Sequence, residues 1–317
     1  MIETYTTIEG RTQLADSYAP RNVWVVLSAP TKEELSAVGD CLDIPMDFLL
    51  SATDPEERPR IEADGQVFLV VVDIPITLSE GQTSTYDTLP LSVIITPTHF
   101  VTVCLQENTV VKQLVKQRTT HTAKRTQLLL QLLFRTATHH LHVLRQIDHK
   151  TDEIERRLRL SMRNTEFFQL LELQKSLVYI STSLRSNQAV LDRLTRIHLA
   201  KDSELSPLRM YEEDAELLED TITENKQALE MAAIYTGILS GTMDAYASVV
   251  SNNLNIVMKF LTSVTIVLSI PALVGAFYGM NVQLPLQDNP YAFFIILSAA
   301  TLLSIVVAWI LARRNMF

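Results

Sequence analysis

The sequence predicts an α+β domain, then long α-helices, then two C-terminal membrane-spanning helices. Three observations carry that fold class. Short β-branched runs separated by turn residues fill residues 1–115. From about Val111 the apolar residues recur at helical spacing, and Thr122–Ser161 contains neither Gly nor Pro. Near the end, Phe260–Tyr278 and Tyr291–Ala312 carry no charged residue. Each matches the roughly 20 apolar residues that a helix needs to cross a bilayer.

Within residues 1–115, Asn22–Leu27 has the composition of a strand. Thr31-Lys32-Glu33-Glu34 is a capping box that opens a short helix through Val38. Val67–Val72 is a continuous apolar run, as in a strand buried on both faces. Leu91–Thr96 and His99–Leu105 predict a strand pair joined around Pro97, and the polar stretch Ser79–Ser84 predicts a loop. Residues 116–205 form a helical pair: one helix over Thr122–Ser161, and an antiparallel partner over Asn164–Leu199 capped by Asn164. The polar break Lys201–Ser206 ends the pair. Ser206-Pro207 then supplies a capping hydroxyl and a proline at the first helical position of a stalk helix, residues 206–258.

Along that stalk Tyr211, Ala215, Leu218, Ile222, Asn225, Leu229, Ala232, Thr236, Leu239, Met243, Tyr246, Val250, Leu254 and Val257 repeat at spacings of four and three. A sustained seam of this kind needs a partner helix. Copies of the chain and the two preceding helices both answer. The helix continues without a break into the first span, residues 259–281, which leads through a loop (282–290) to the second span (291–313) and a tail (314–317).

Basic residues favour the cytoplasmic side. Lys259 precedes the first span and Arg313-Arg314 follow the second, while Val282–Pro290 has one charge, Asp288, and no Lys or Arg. Both termini and the preceding domains are therefore expected in the cytoplasm, and Asn281 outside the cell membrane. The polar stretch Met1–Asp16 predicts no targeting segment. The 317-residue chain has a formal charge of −9. Without a basic stripe it offers nothing to nucleic-acid phosphates. Cys41 and Cys104 stand apart and read as buried free thiols of a reducing cytosol. Neither a GxxxxGK loop nor a GxSxG elbow occurs. The chain is thus expected to be no enzyme, and not to drive transport by ATP.

On the first span Asn255, Met258, Thr262, Thr265, Ser269, Ala272 and Ala276 fall near one face, and that face is small or polar. It suits a water-filled path, and equally close helix packing, for which Gly275-x-x-x-Gly279 is a recognised pattern. Neither span holds a carboxylate or histidine. Magnesium dehydrates reluctantly, so a path of amide, hydroxyl and carbonyl oxygens suits a hydrated ion, with the Asn281 amide at its outer end. Asn281 also fits an ordinary turn, since Asn tolerates left-handed backbone. His139, His140, His142 and His149 share one helix. Three imidazoles suit zinc, and a solvated face is the plainer reading. The acidic run Glu212-Glu213-Asp214 with Glu216, Glu219 and Asp220 reads as a solvated face that raises local cation concentration.

Asn255–Thr262, the proline-bearing span with Pro271, Tyr278-Gly279-Met280-Asn281 and Glu57–Glu62 together resemble the CorA family of magnesium transport proteins. The resemblance covers most of the chain. It implies a homopentamer in the lipid bilayer with a funnel-shaped cytoplasmic domain, and a pore lined by five copies of the first span. Gly279, Met280 and Asn281 match the external selectivity loop. Asn255 and Leu261 match positions at the cytoplasmic pore entrance and hydrophobic constriction, and Met258 another pore-facing position. Asp220 matches an acidic position that senses cytoplasmic Mg2+ between subunits, with Asp73, Glu80 or Asp87 as partner. Bound ions would hold the closed state and their loss would open it. The implied function is channel-type Mg2+ transport. Transport of other divalent cations (cobalt, nickel, zinc) and a non-conducting membrane-anchored sensor or scaffold are the alternatives.

Overall fold

Alternation with a period of two decides which side of the N-terminal sheet each residue faces. In the computed structural model β1 (Ile2–Ile8), β2 (Arg11–Leu14), β3 (Trp24–Ser28), β4 (Arg60–Asp64), β5 (Val67–Glu80), β6 (Thr83–Ile95) and β7 (Phe100–Cys104) build one seven-stranded sheet. Its order is β2-β1-β3-β7-β6-β5-β4, and only β3 and β7 run parallel. The structure describes all residues except 9–10, 19, 81–82, 118–119, 162–163, 200–207, 209, 287–288, 315 and 317, and leaves aside the side chains of 11, 79–80, 83–84, 159–161 and 164. The predicted break Lys201–Ser206, the Ser206-Pro207 start and Asp288 lie outside the described residues. The chain divides into two compact units, Met1–Ser240 and Gly241–Phe317.

Both faces of the sheet are covered. Val25, Leu27, Leu69, Val71 and Ile94 pack against α1 (Lys32–Leu42) and α2 (Met46–Leu50). Trp24, Val26, Phe68, Val70 and Val93 face α3 (Thr109–Gln117), α4 (Arg125–Ser161) and α5 (Asn164–Leu199). That is why Val67–Val72 is apolar throughout: consecutive residues enter different cores. The Thr31 capping box forms with both of its hydrogen bonds, and α1 runs four residues past Val38 to a left-handed Asp43. Cys104 is buried as expected, but Cys41 is exposed, because it lies at the end of α1 away from the sheet-facing Leu35 and Val38.

The predicted loop at Ser79–Ser84 is instead largely strand. β5 and β6 pair from Phe68↔Ile95 to Glu80↔Thr83, well past their neighbours. The extension is polar because no strand flanks it, and α5 satisfies part of its open edges. Asn187 bonds the backbone of Asp73, and Ser176 Oγ accepts from Tyr86 N. α4 and α5 are antiparallel, with His140 beside Ser183 and Arg157 beside Gln169.

The last long helix, α6 (Glu212–Tyr278), starts five residues after Pro207. Asp214 sets the start: its Oδ2 accepts from Tyr211 N at 3.0 Å. In the first unit the buried side of α6 carries Asp214, Leu218, Thr221, Asn225, Ala228, Ala232 and Leu239. Leu218, Asn225, Ala232 and Leu239 of the predicted seam are there, but Tyr211, Ala215, Ile222, Leu229 and Thr236 are not fully buried. The true stripe is rotated because polar Asp214 and Thr221 sit on it, each with its hydrogen bond made. In the second unit α6 is followed by α7 (Ala292–Arg313), and both are apolar and long enough to cross a membrane.

Candidate functional site

In the second unit α6 is helical through Pro271, which lacks the N–H that would reach the carbonyl four residues earlier. Ser263 is completely buried, and its Oγ bonds Lys259 O and, at 3.0 Å, Met316 O in the tail behind α7. Val264, Val267, Ile270 and Val274 are half-buried and continue this face. On α7, Ala300 and Ser304 are the buried positions. Much of the remaining surface of both helices is exposed and apolar, including Leu268, Leu273, Phe293, Leu302 and Ile305.

The predicted stripe lies on the other side of α6. At about 100° per residue, Thr265, Ala272, Ala276 and Met258 stand roughly 180–220° from Ser263, and Leu261 and Ser269 flank them. Asn255 and Thr262, at roughly 260–280°, mark the edge. All eight are exposed except Ser269, which is half-buried. A single chain thus covers one face of α6 and leaves the small, polar face bare.

Two hydroxyls on that face have a fixed polarity. Thr265 Oγ1 donates to Leu261 O at 2.8 Å, and Ser269 Oγ to Thr265 O at 2.6 Å. With the hydrogen turned to the helix, each oxygen presents lone pairs outward. The waters around a cation point their hydrogens away from it, so such a surface suits a hydrated cation.

α6 ends as Gly279 N bonds Gly275 O and Met280 N bonds Phe277 O. A Cβ on Gly279 would lie 3.3 Å from Gly275 O, so glycine lets the chain leave the helix tightly. Among the described residues nothing lies within 4 Å of a Cβ built on Gly275, so Gly275 packs against no described neighbour. Asn281 does not use the left-handed backbone considered for it, which occurs instead at Leu286. Asn281 is exposed, and among the described residues no partner holds its amide. Tyr278 and Tyr291 are exposed at this end, and at the other Arg313 stacks over Trp309 at 3.9 Å. Aromatic rings at both ends and basic residues at one match a membrane span.

In the first unit Asp220 is exposed on α6. Asp87 is half-buried on β6, its Oδ1 accepting from Thr88 N. Glu80 ends β5, and its side chain is outside the described residues. Asp73 is engaged within the fold on Ser183, and burial raises its carboxyl to about 7. Among the described residues no three His, Cys, Asp or Glu side chains converge on one point. The four histidines separate: His140 is fully buried rather than on a solvated face, and His139 and His142 stack at 6.4 Å. Pattern alone missed the buried contacts of Asn225 with Leu184 O and Gln188 Oε1, and of His140 with Ser183, since their spacing in sequence carries no signal of contact.

The family described as CorA-like Mg2+ transporter protein matches residues 20–314. The cobalt/magnesium transport protein CorA of Methanocaldococcus jannaschii is 26% identical over 302 residues, covering 93% of this chain and 91% of the relative. The complete structure of the CorA magnesium transporter from the same organism superimposes with a TM-score of 0.81 at 24% identity, covering 98% and 96% of the two chains. The full-length CmaX protein shares the fold at a TM-score of 0.70 and 17% identity, covering 99% and 97%. A match over nearly the whole length, with two apolar C-terminal helices, places the protein in a membrane: the chain belongs to the CorA-like Mg2+ transporter protein family.

Proposed function

We propose that five copies of this chain form a channel for hydrated Mg2+ across the cell membrane. The path is lined by the open face of α6 and entered through a ring of Gly279-Met280-Asn281 turns. The observation that carries this reading is the division of α6 into two faces. One is buried by its own chain, while Asn255, Met258, Leu261, Thr262, Thr265, Ser269, Ala272 and Ala276 are left for partners or water. Exposed Val250, Leu254 and Val257 continue the seam above the span and need the same partners. Lys259, Arg313 and Arg314 orient both termini to the cytoplasm. A divalent ion gains about 4.6 kcal/mol per 100 mV of inward-negative potential, which drives uptake without another energy source.

Regulation by cytoplasmic Mg2+ follows from Asp220, whose exposed carboxylate would share an ion with a neighbouring subunit. Asp87 is the partner carried forward, since Asp73 is engaged on Ser183 in its own chain. Such an ion closes the pore only if it binds the closed state more tightly. A second cargo is favoured by the relative named a cobalt/magnesium transport protein. The test is ion uptake into liposomes containing only this protein, with Co2+ as competitor. Mg2+ influx that follows the imposed potential is expected, and a well-folded pentamer passing no Mg2+ would refute the reading.

A further inference from the structure

The end of the second unit that holds the tail collects positive charge which no acidic side chain neutralises. Lys259, Arg313 and Arg314 are exposed there. One hydroxyl ties their two segments together. Ser263 Oγ lies 2.8 Å from Lys259 O and 3.0 Å from Met316 O, and Met316 N bonds Leu311 O at 3.1 Å. The end of α7 and the Lys259 turn of α6 are therefore at one level of the two-helix unit. The acidic side chains of this unit are Asp244 and Asp288. At 1.5 Å per residue the step from Asp244 to Lys259 is about 22 Å, and Asp288 lies in the loop beyond the other end of both spans. Among the described residues none of the three cations has an acidic partner within 4 Å.

Arg313 Cζ stands 3.9 Å from the centre of the Trp309 ring. At about 100° per residue both residues lie roughly 140–180° from Ser304, a buried position of α7. They are thus on the outward side of the helix. The ring covers one face of the guanidinium and leaves its N–H edge open, the edge that pairs with two phosphate oxygens at once. Exposed Leu302, Ile305 and Val306 continue the same side of α7 into the span. Lys259 lies about 40° from Ser263. It is outside the open stripe of α6, so its charge belongs with the tail and not with the proposed path.

Unpaired cations at the edge of a hydrocarbon layer call for an anion held at the same depth. A phospholipid phosphate meets that need, and its acyl chains cover the apolar surface below. We propose that Lys259, Arg313 and Arg314, with Trp309, form a binding site for the phosphate headgroup of an anionic phospholipid whose chains lie along α7. Basic pockets at the ends of membrane helices recognise headgroups in this way. The site depends on the chain lying in a membrane and not on which ion it conducts. The formal charge of the whole chain is −9, so diffuse attraction to an anionic bilayer does not account for such binding.

The chain carries its own probe. Its two tryptophans are Trp309, at the site, and Trp24, buried in the core of the sheet. Full-length protein is reconstituted in phosphatidylcholine bilayers, and quenching of its fluorescence by brominated phosphatidylglycerol is compared with quenching by brominated phosphatidylcholine at equal mole fraction. Each interfacial cation strengthens association with an anionic lipid roughly fivefold. Phosphatidylglycerol is therefore expected to associate beside Trp309 at least about fivefold more tightly than phosphatidylcholine. Arg313→Gln, Arg314→Gln and Lys259→Gln are each expected to cut that preference by about fivefold, and Lys175→Gln, on exposed α5 surface of the first unit, to leave it unchanged. Inorganic phosphate in excess over lipid is expected not to compete. Competition by phosphate would assign the cations to a dissolved anion and overturn the proposal. Equal quenching by the two lipids in the wild type, which needs no variant to fold, would overturn it as well.

Discussion

Replacing Thr265 by valine removes an oxygen from the open face of α6 while nearly preserving side-chain volume. Thr265 Oγ1 donates to Leu261 O at 2.8 Å, so its lone pairs are what the path would lose. A hydrogen bond involving a charged group contributes about 1.5–3 kcal/mol, and water in the shell of a divalent cation is close to that limit. Loss of one such contact where the barrier is highest slows flux by roughly 10- to 150-fold. The control is Ser263→Ala on the opposite face. Ser263 is fully buried and bonds Met316 O, so its loss costs about 1 kcal/mol of stability and is expected to leave flux per folded assembly unchanged. The assay is Mg2+ influx into proteoliposomes, normalised to reconstituted protein. Equal slowing by both substitutions, or none by Thr265→Val, would refute the assignment of faces.

Asn281→Ala should abolish discrimination between Mg2+ and monovalent cations while the oligomer persists on size exclusion; unchanged selectivity would remove the amide ring from the mechanism. Asn225→Ala leaves Leu184 O and Gln188 Oε1 without their donor. It should cost about 1–3 kcal/mol, read as a fall in thermal midpoint of about 2–4 °C for each kcal/mol. The Asp73 carboxyl proton, held to about 7 by burial, predicts the sign of a pH effect. From about pH 4 the unfolded chain releases it, but the folded chain keeps it to about 7. Stability therefore falls as pH rises through that window, by at most about 1.4 kcal/mol per unit, and levels above it. Asp73→Asn should flatten the profile in a thermal-shift series.

The elements most legible in the sequence are those set by local chemistry. Thr31 and Glu34 form their capping box because both partners lie within one turn. Val67–Val72 reads as a buried strand because each residue enters one of two cores. The bare face of α6 was also legible, since small and polar residues in an apolar helix can be read by spacing alone. What failed depends on distant chain segments. Ser79–Ser84 looks like a loop until α5 is present to take the hairpin's free edges. The seam of α6 was misplaced because Asp214 and Thr221 read as surface residues by polarity, yet both are buried with local bonds to Tyr211 N and Leu217 O. His140 is indistinguishable in sequence from its exposed neighbour His142, and only Ser183, forty-three residues away, explains its burial.

The absence of carboxylates and histidines from both spans bears on how a divalent ion would move through them. A carboxylate ring inside α6 would attract Mg2+ strongly, but conduction requires binding weak enough for release. It would also compete with the ion's own water, which magnesium yields reluctantly. Neutral oxygens such as those of Thr265 and Ser269 avoid both difficulties. Their hydrogens are held by Leu261 O and Thr265 O, so they meet the hydration shell as acceptors and need not reorient as an ion passes. Attraction is then left to charges outside the hydrocarbon core. In the proposed channel the membrane potential supplies direction. In the proposed channel, separating attraction from passage in this way accounts for a stripe from Asn255 to Ala276 of hydroxyl, amide, thioether and aliphatic groups without charge.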